Sequence, residues 1–275
     1  MKTAVCLYGL FTHHFPDSGE MGHEHIKKEI LKKVPDADFF CHSWDVQKTQ
    51  LITDWYQPKK WVIEPQIDFT EKVNAIDLER YLYTPYRDWQ YLFRAFSFYY
   101  TRAKAIQLKK EYEEEHDFKY DCVISCRYDL GQRDRDQDLE YYVSRINFDP
   151  GYDMSYMYSA MWNQINAGMA DQWFYSNSEN MDKFIDLYDK MSSYLTADSD
   201  YEKAVCGIDG WPDSNRFEHP SEDPRQFTNE VLLPENQKSK TPMQYPRWEC
   251  INNHLMHKYF MIDTGLYTKC RYLKG

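Results

Sequence analysis

The chain has 275 residues, 42% of them hydrophobic and 17% aromatic, which supplies core for one large α/β domain or two small ones and excludes a disordered chain. A formal net charge of −11 excludes a general electrostatic footprint for nucleic acid or anionic membrane. Seven cysteines without a CxxC pair lack the ligand spacing of a structural zinc site and read as reduced, mostly buried thiols of an intracellular protein.

The first run, TAVCLYG (3–9), is a short β-rich stretch ending at Gly9, as a buried parallel strand opens an α/β fold. Its short apolar core has no signal-peptide cleavage site, and no stretch approaches the roughly 18 apolar residues of a membrane span, so the expected location is the cytoplasm. Residues 20–34 place Ile26, Ile30, Leu31 and Val34 on one helical face, with acids early and lysines late. ADFFCHSWD (37–45) predicts a second strand, completing a βαβ unit. WVIEP (61–65) is a candidate third strand. Residues 86–116 contain no Gly or Pro and predict one long helix, which leads into the strand CVISC (122–126). MSYMYSAMW (154–162) and QWFYS (172–176) predict further strands, and Ser178 is the expected cap of a helix to about 195. Residues 196–247 are rich in Pro, Asp, Ser and Gly and predict loops, with a short helix at TNEVLLPE (228–235). One α/β domain over 1–275, a mostly parallel sheet flanked by helices, is the simplest account, with 1–130 and 131–275 as its halves.

Ligands of open α/β sheets bind outside the carboxyl ends of the strands. Here those ends carry Tyr8, Gly9 and the loop holding His13 and His14; His42 to Asp45; Arg127 and Asp129; and the loop with Asn163, Asn166, Asp171 and Trp173. Neither GxGxxG nor GxxxxGK[ST] occurs, so the dinucleotide and P-loop fingerprints are missing. Asp129 at a strand exit is placed to hold Mn²⁺ or Mg²⁺ against a diphosphate, with Arg127 supporting the phosphate; the plain alternative is an Arg–Asp pair at a loop start. Asp134, Asp136 and Asp138 alternate, but interleaved arginines and the lack of a calcium loop's glycine and twelfth-position glutamate favour a solvated loop. Asp171 could serve as a general base or hold a sugar hydroxyl, and Trp173 could stack on a sugar face, against a reading of both as an ordinary strand start. His42 fits equally a satisfied core histidine.

Taken in order, AVCLYGLF, DFFCHSWD, SFYYTRAKAIQLKKEYE, KYDCVISCRYDL and ADQWFYSNSENMDKF resemble a family of glycosyltransferases encoded in bacterial surface-polysaccharide loci and in large phages and viruses. The resemblance covers about residues 3–190, more weakly TNEVLL near 230, and is most specific at KYDCVISCRYDL. It implies a GT-A-like, Rossmann-type nucleotide-binding domain, a UDP- or GDP-linked sugar donor, and transfer to the hydroxyl of a glycan or other small acceptor. In such enzymes a D-x-D motif after a central strand binds metal and diphosphate. Here that place reads Arg127-Tyr128-Asp129, so either Asp129 alone holds the metal or Arg127 takes over part of its charge. The resemblance further implies donor contacts from Tyr8, Gly9, His13, His42, Asp45 and Arg127, catalysis by Asp171 with Asp129, and an acceptor side with Trp173 and Glu230. Two rivals remain at this stage: a phage-type DNA-base glycosyltransferase, for which Lys27, Lys28, Lys32, Lys33, Lys59 and Lys60 are the basic residues available, and a nucleotide-sugar-binding or interaction protein without turnover.

Overall fold

A computed structural model of the protein describes residues 1–12, 16–82, 88–131, 144–160, 168–206 and 247–273. Its centre is a seven-stranded sheet, formed in chain order by β1 (Thr3–Tyr8), β2 (Asp38–Ser43), β3 (Lys60–Ile63), β4 (Cys122–Arg127), β5 (Met157–Ala160), β6 (Trp173–Ser176) and β7 (Cys270–Leu273). The spatial order is β3-β2-β1-β4-β6-β5-β7, so both halves of the chain contribute strands. β1 to β4 run parallel, while β6 opposes both of its neighbours, β4 and β5. The chain winds outward from β1 to β3 and then crosses back to place β4 on the other side of β1. The carboxyl ends of β1 and β4 therefore form a topological switch point, the place where a crevice opens in such sheets.

Strand residues alternate between two apolar layers, as the period of two requires. Ala4, Cys6, Tyr8, Val123 and Phe174 face one layer, and Val5, Leu7, Ile124, Cys126, Trp173 and Tyr175 face the other. The first layer is covered by α5 (Trp89–His116), whose buried face includes Leu92, Phe96, Tyr99 and Ile106; each large apolar side chain withdrawn from water there contributes about 1.5–3 kcal/mol. Asp88 caps this helix, accepting from the Tyr91 amide at 2.8 Å. The second layer lies beneath α1 (Ser18–Ile26), which widens into a π-turn at Lys27–Leu31, and α2 (Thr49–Tyr56). Smaller helices α3 (Thr70–Asn74) and α4 (Leu78–Tyr81) follow β3. After β6 come α6 (Ser178–Asp182), α7 (Leu187–Tyr194), α8 (Asp200–Cys206) and α9 (Asn253–Asp263). The expected cap at Ser178 is corrected: Asn177 is the cap, accepting from the Asn180 amide at 2.9 Å, and the Ser178 hydroxyl donates to Glu113 instead. The helix expected at 228–235 lies outside the described residues. Among the described residues no helix is long and apolar enough to cross a membrane.

Candidate functional site

A half-open cleft of about 250 Å³ lies at the switch point. Three strands set its floor by register alone. Tyr8 is paired with Arg127 across β1 and β4. The reversed β6 begins beside Arg127, whose amide donates to the Gln172 carbonyl at 3.1 Å. Because β6 runs backwards, its first end meets the rim where β1 and β4 finish, so Asp171 precedes a strand while Tyr8 and Arg127 close theirs. The Tyr8 hydroxyl then donates to the Asp171 carbonyl at 2.6 Å and fixes that end. Gly9 turns the chain away from β1 at φ +96, a conformation that side chains other than glycine's rarely adopt.

One wall is the first half of α5. Arg94, Ser97, Phe98 and Thr101 line the cleft, and their spacing of three, four and seven places them on one helical stripe. Ser97 is held at its hydroxyl by the Trp44 indole at 3.0 Å and the Gln66 amide at 2.8 Å, both also lining the cleft. The facing wall is Asn253, in the first turn of α9. That turn is hooked to the loop before β6 in both directions: the Met169 amide donates to the His254 carbonyl at 3.0 Å, and His254 Nδ1 lies 2.8 Å from the Met169 carbonyl. Gly168, at φ +88, makes this approach possible, since a Cβ there would lie 2.3 Å from the His254 carbonyl carbon.

Arg127 and Asp129 form a bidentate ion pair, with Nε donating to Oδ1 at 2.7 Å and the second guanidinium nitrogen to Oδ2. Burial opposes the Arg127 charge, but the neighbouring Asp129 and Asp171 outweigh it and raise its pKa. Beneath the cleft, the fully buried Arg102 guanidinium sits 4.9 to 5.3 Å from the ring centres of Phe98, Tyr99, Phe174 and Phe184. Among the described residues, none of its three nitrogens has a hydrogen-bond partner of good geometry. Burial depresses its pKa, against the pull of Tyr8, Tyr99 and Asp171. Two arginines, Arg94 and Arg127, thus line one crevice of an acidic chain, and a third is buried behind its aromatic wall.

The sequence expectations fare unequally. Tyr8, Gly9, Arg127 and Asp171 meet in the cleft. Asp45 does not line it; its carboxylate accepts from the Thr12 amide at 2.8 Å and hydroxyl at 3.2 Å, bracing the loop after β1. His42 is corrected from donor contact to core residue: it is fully buried, edge-on to Trp44, with Nε2 3.1 Å from Glu64. Its burial, partly offset by Glu64, lowers its pKa to about 4. Trp173 is likewise corrected. It is fully buried on the opposite face of the sheet and stacks with Tyr175, so it has no ring face to offer a sugar. His13, His14, Asn163, Asn166, Glu230 and the Asp134–Asp138 run lie outside the described residues.

The placed residues do not fit a divalent cation at Asp129. Both of its carboxylate oxygens are engaged by Arg127, so a metal would have to displace a paired guanidinium. Among the described residues no group of three or more His, Cys, Asp or Glu side chains is arranged to share a metal ion. Arg94, Ser97 and Asn253 do not lie at strand ends; the signal for the first two was the polar stripe 94-97-101 on the otherwise largely apolar first half of α5. No family model, no curated protein and no solved structure matches the chain.

Proposed function

We propose that the protein is a nucleotide-sugar-dependent glycosyltransferase whose cleft receives the diphosphate of a UDP- or GDP-linked donor. The observation that carries this reading is the gathering of Arg94 and Arg127, with Arg102 below, at the switch point of a chain whose net charge is −11. A charged, planar guanidinium matches phosphate geometry, and its value rises in a partly dry crevice. Trp44, Phe98 and Gln66 offer apolar surface and an amide for the rest of the donor. In the reaction the bond from the anomeric carbon to the phosphate oxygen breaks, and the electron pair leaves on the diphosphate beside Arg127 and Arg94. A new bond forms to the acceptor oxygen, whose proton passes to the Asp171 carboxylate. A glycan or small acceptor suits the half-open cleft. The lysines available for duplex DNA are largely committed: Lys27, Lys28, Lys59 and Lys60 pair with Glu24, Glu29, Asp38 and the Glu111/Glu115 pair, and Lys33 donates to the Phe148 carbonyl.

The deciding experiment is a thermal-shift panel of nucleoside diphosphates and nucleotide sugars, followed by a transfer or donor-hydrolysis assay with whichever stabilises the protein. A ligand selective for the folded state raises Tm, and the shift should disappear in Arg127→Ala. No shift with any nucleotide would overturn the reading. A second reading, donor binding without turnover, is favoured by the closed Arg127–Asp129 pair at the expected metal position; it gives the shift without product.

A further inference from the structure

Six of the seven cysteines are buried, and one of these, Cys250, touches the seventh, Cys206, with their sulfurs 4.0 Å apart. Cys206 ends α8, and Cys250 lies in the 3-10 turn Arg247–Ile251 that leads into α9. Cys206 is also the one partly exposed cysteine of the seven. The backbones on either side are already tied together: the Tyr201 hydroxyl donates to the Cys250 carbonyl at 2.7 Å, and the buried Glu202 accepts from both Arg80 and Arg247 at 2.8 Å. Closing the gap to a sulfur–sulfur bond of about 2.05 Å would join two segments that these bonds already hold against each other. We propose that Cys206 and Cys250 form a reversible, peroxide-sensitive disulfide that locks α8 to the leader of α9.

The roles divide by environment. Cys206 is open to solvent, and the hydrogen bond with Cys250, helped by Arg247 and Arg80 against burial and Glu202, lowers its pKa. The Cys250 thiol is held up by that same bond and by burial. A thiolate is the nucleophile toward peroxide. The Cys206 thiolate attacks one oxygen of hydrogen peroxide, becoming a sulfenic acid and releasing hydroxide. The Cys250 sulfur then attacks the Cys206 sulfur; the disulfide forms, and the sulfenic oxygen departs with the Cys250 proton as water. An external dithiol reverses the bond by exchange. The consequence reaches the cleft, because Asn253 stands three residues beyond Cys250 and shares its short connection.

The test is peptide mapping of the full-length protein under non-reducing conditions after treatment with stoichiometric hydrogen peroxide. A Cys206–Cys250 linked peptide is expected, cleared by dithiothreitol. It should be absent from Cys206→Ser, while Cys250→Ser should accumulate a dimedone-reactive sulfenic acid at Cys206. Amide hydrogen exchange across residues 247–256 should slow several-fold in the oxidised wild type. Folded protein in which Cys206 over-oxidises without linking, links to another cysteine, or stays unreacted would overturn the proposal, as would linkage that leaves exchange unchanged.

Discussion

Two buried cations on α5, Lys109 and Arg102, are housed in opposite ways. At the rim away from the cleft, Lys109 donates to Glu113 at 2.9 Å, to Ser178 at 2.6 Å and to Asp182 at 2.6 Å; Glu113 also accepts from the Tyr120 amide at 2.8 Å and from Lys119 at 3.0 Å. The Lys109 ammonium thus has three acceptors, and both Glu113 oxygens are used. Toward the cleft, seven residues earlier on the same helix, Arg102 is buried among four aromatic rings and makes no ion pair among the described residues. Arg94 is exposed with no ion pair among the described residues. A saturated network holds a helix to a sheet. An unsaturated one keeps positive potential in reserve, which is a poor choice for stability and a good one for anion binding.

The largest expected effect breaks the saturated side. Glu113→Ala takes one carboxylate from Lys109 and the acceptor from the Tyr120 amide, and should destabilise the fold by about 3–5 kcal/mol in a denaturant titration. Burial works against the Glu113 carboxylate, yet its hydrogen bonds and Lys109 win and hold its pKa below the ordinary value. Its contribution is thus present above about pH 4.5 and fades as pH falls through the folded pKa.

On the cleft side, Arg127→Ala should cut transfer by about 10²–10³ through loss of charge stabilisation on the leaving group. Transfer assayed in excess EDTA should stay within about twofold of the untreated rate if guanidinium groups supply that charge; a collapse on chelation, restored by Mn²⁺, would return the metal role to Asp129.

Two smaller effects sharpen the contrast. His42 and His257 are both neutral inside the fold, their pKa values lowered by burial. Below about pH 6.5 the unfolded chain takes up protons that the folded one refuses, so stability rises with pH across this range. For His42, with a folded pKa of about 4, the loss between pH 6.5 and 4 is about 3 kcal/mol. His42→Gln should flatten that part of the stability curve measured by urea melts. Least of all, Asn177→Ala removes the α6 cap for about 1 kcal/mol, visible as a small drop in Tm with binding intact.

Much of the frame was legible because it is local. The runs of β1, β2 and β4 are continuous and apolar, and the glycine-free stretch before β4 reads as one helix. The reversal of β6 is not local: WFYS carries no mark of direction, and only its pairing with both β4 and β5 reveals it. Asp171 was singled out as a polar residue before an aromatic, and its meeting with Arg127 follows from that reversal. Trp173 was misjudged for the same reason. Alternation puts it on the face away from the cleft, and a one-residue difference in register decides which aromatic is hidden. Arg102 looked like any polar residue on a helix, since nothing in the sequence announces four rings closing around it.

The direction of β6 also governs how this protein tolerates added chain. The polypeptide leaves the cleft at Arg127 and returns to it at Asp171, on strands lying side by side. Extra residues accepted between β4 and β5, or between β5 and β6, would lengthen the excursion without moving either end. The entropy of a longer excursion grows only logarithmically, by about 0.6 kcal/mol per doubling. Added chain in those two connections can therefore be absorbed while Arg127 and Asp171 stay where the sheet has put them.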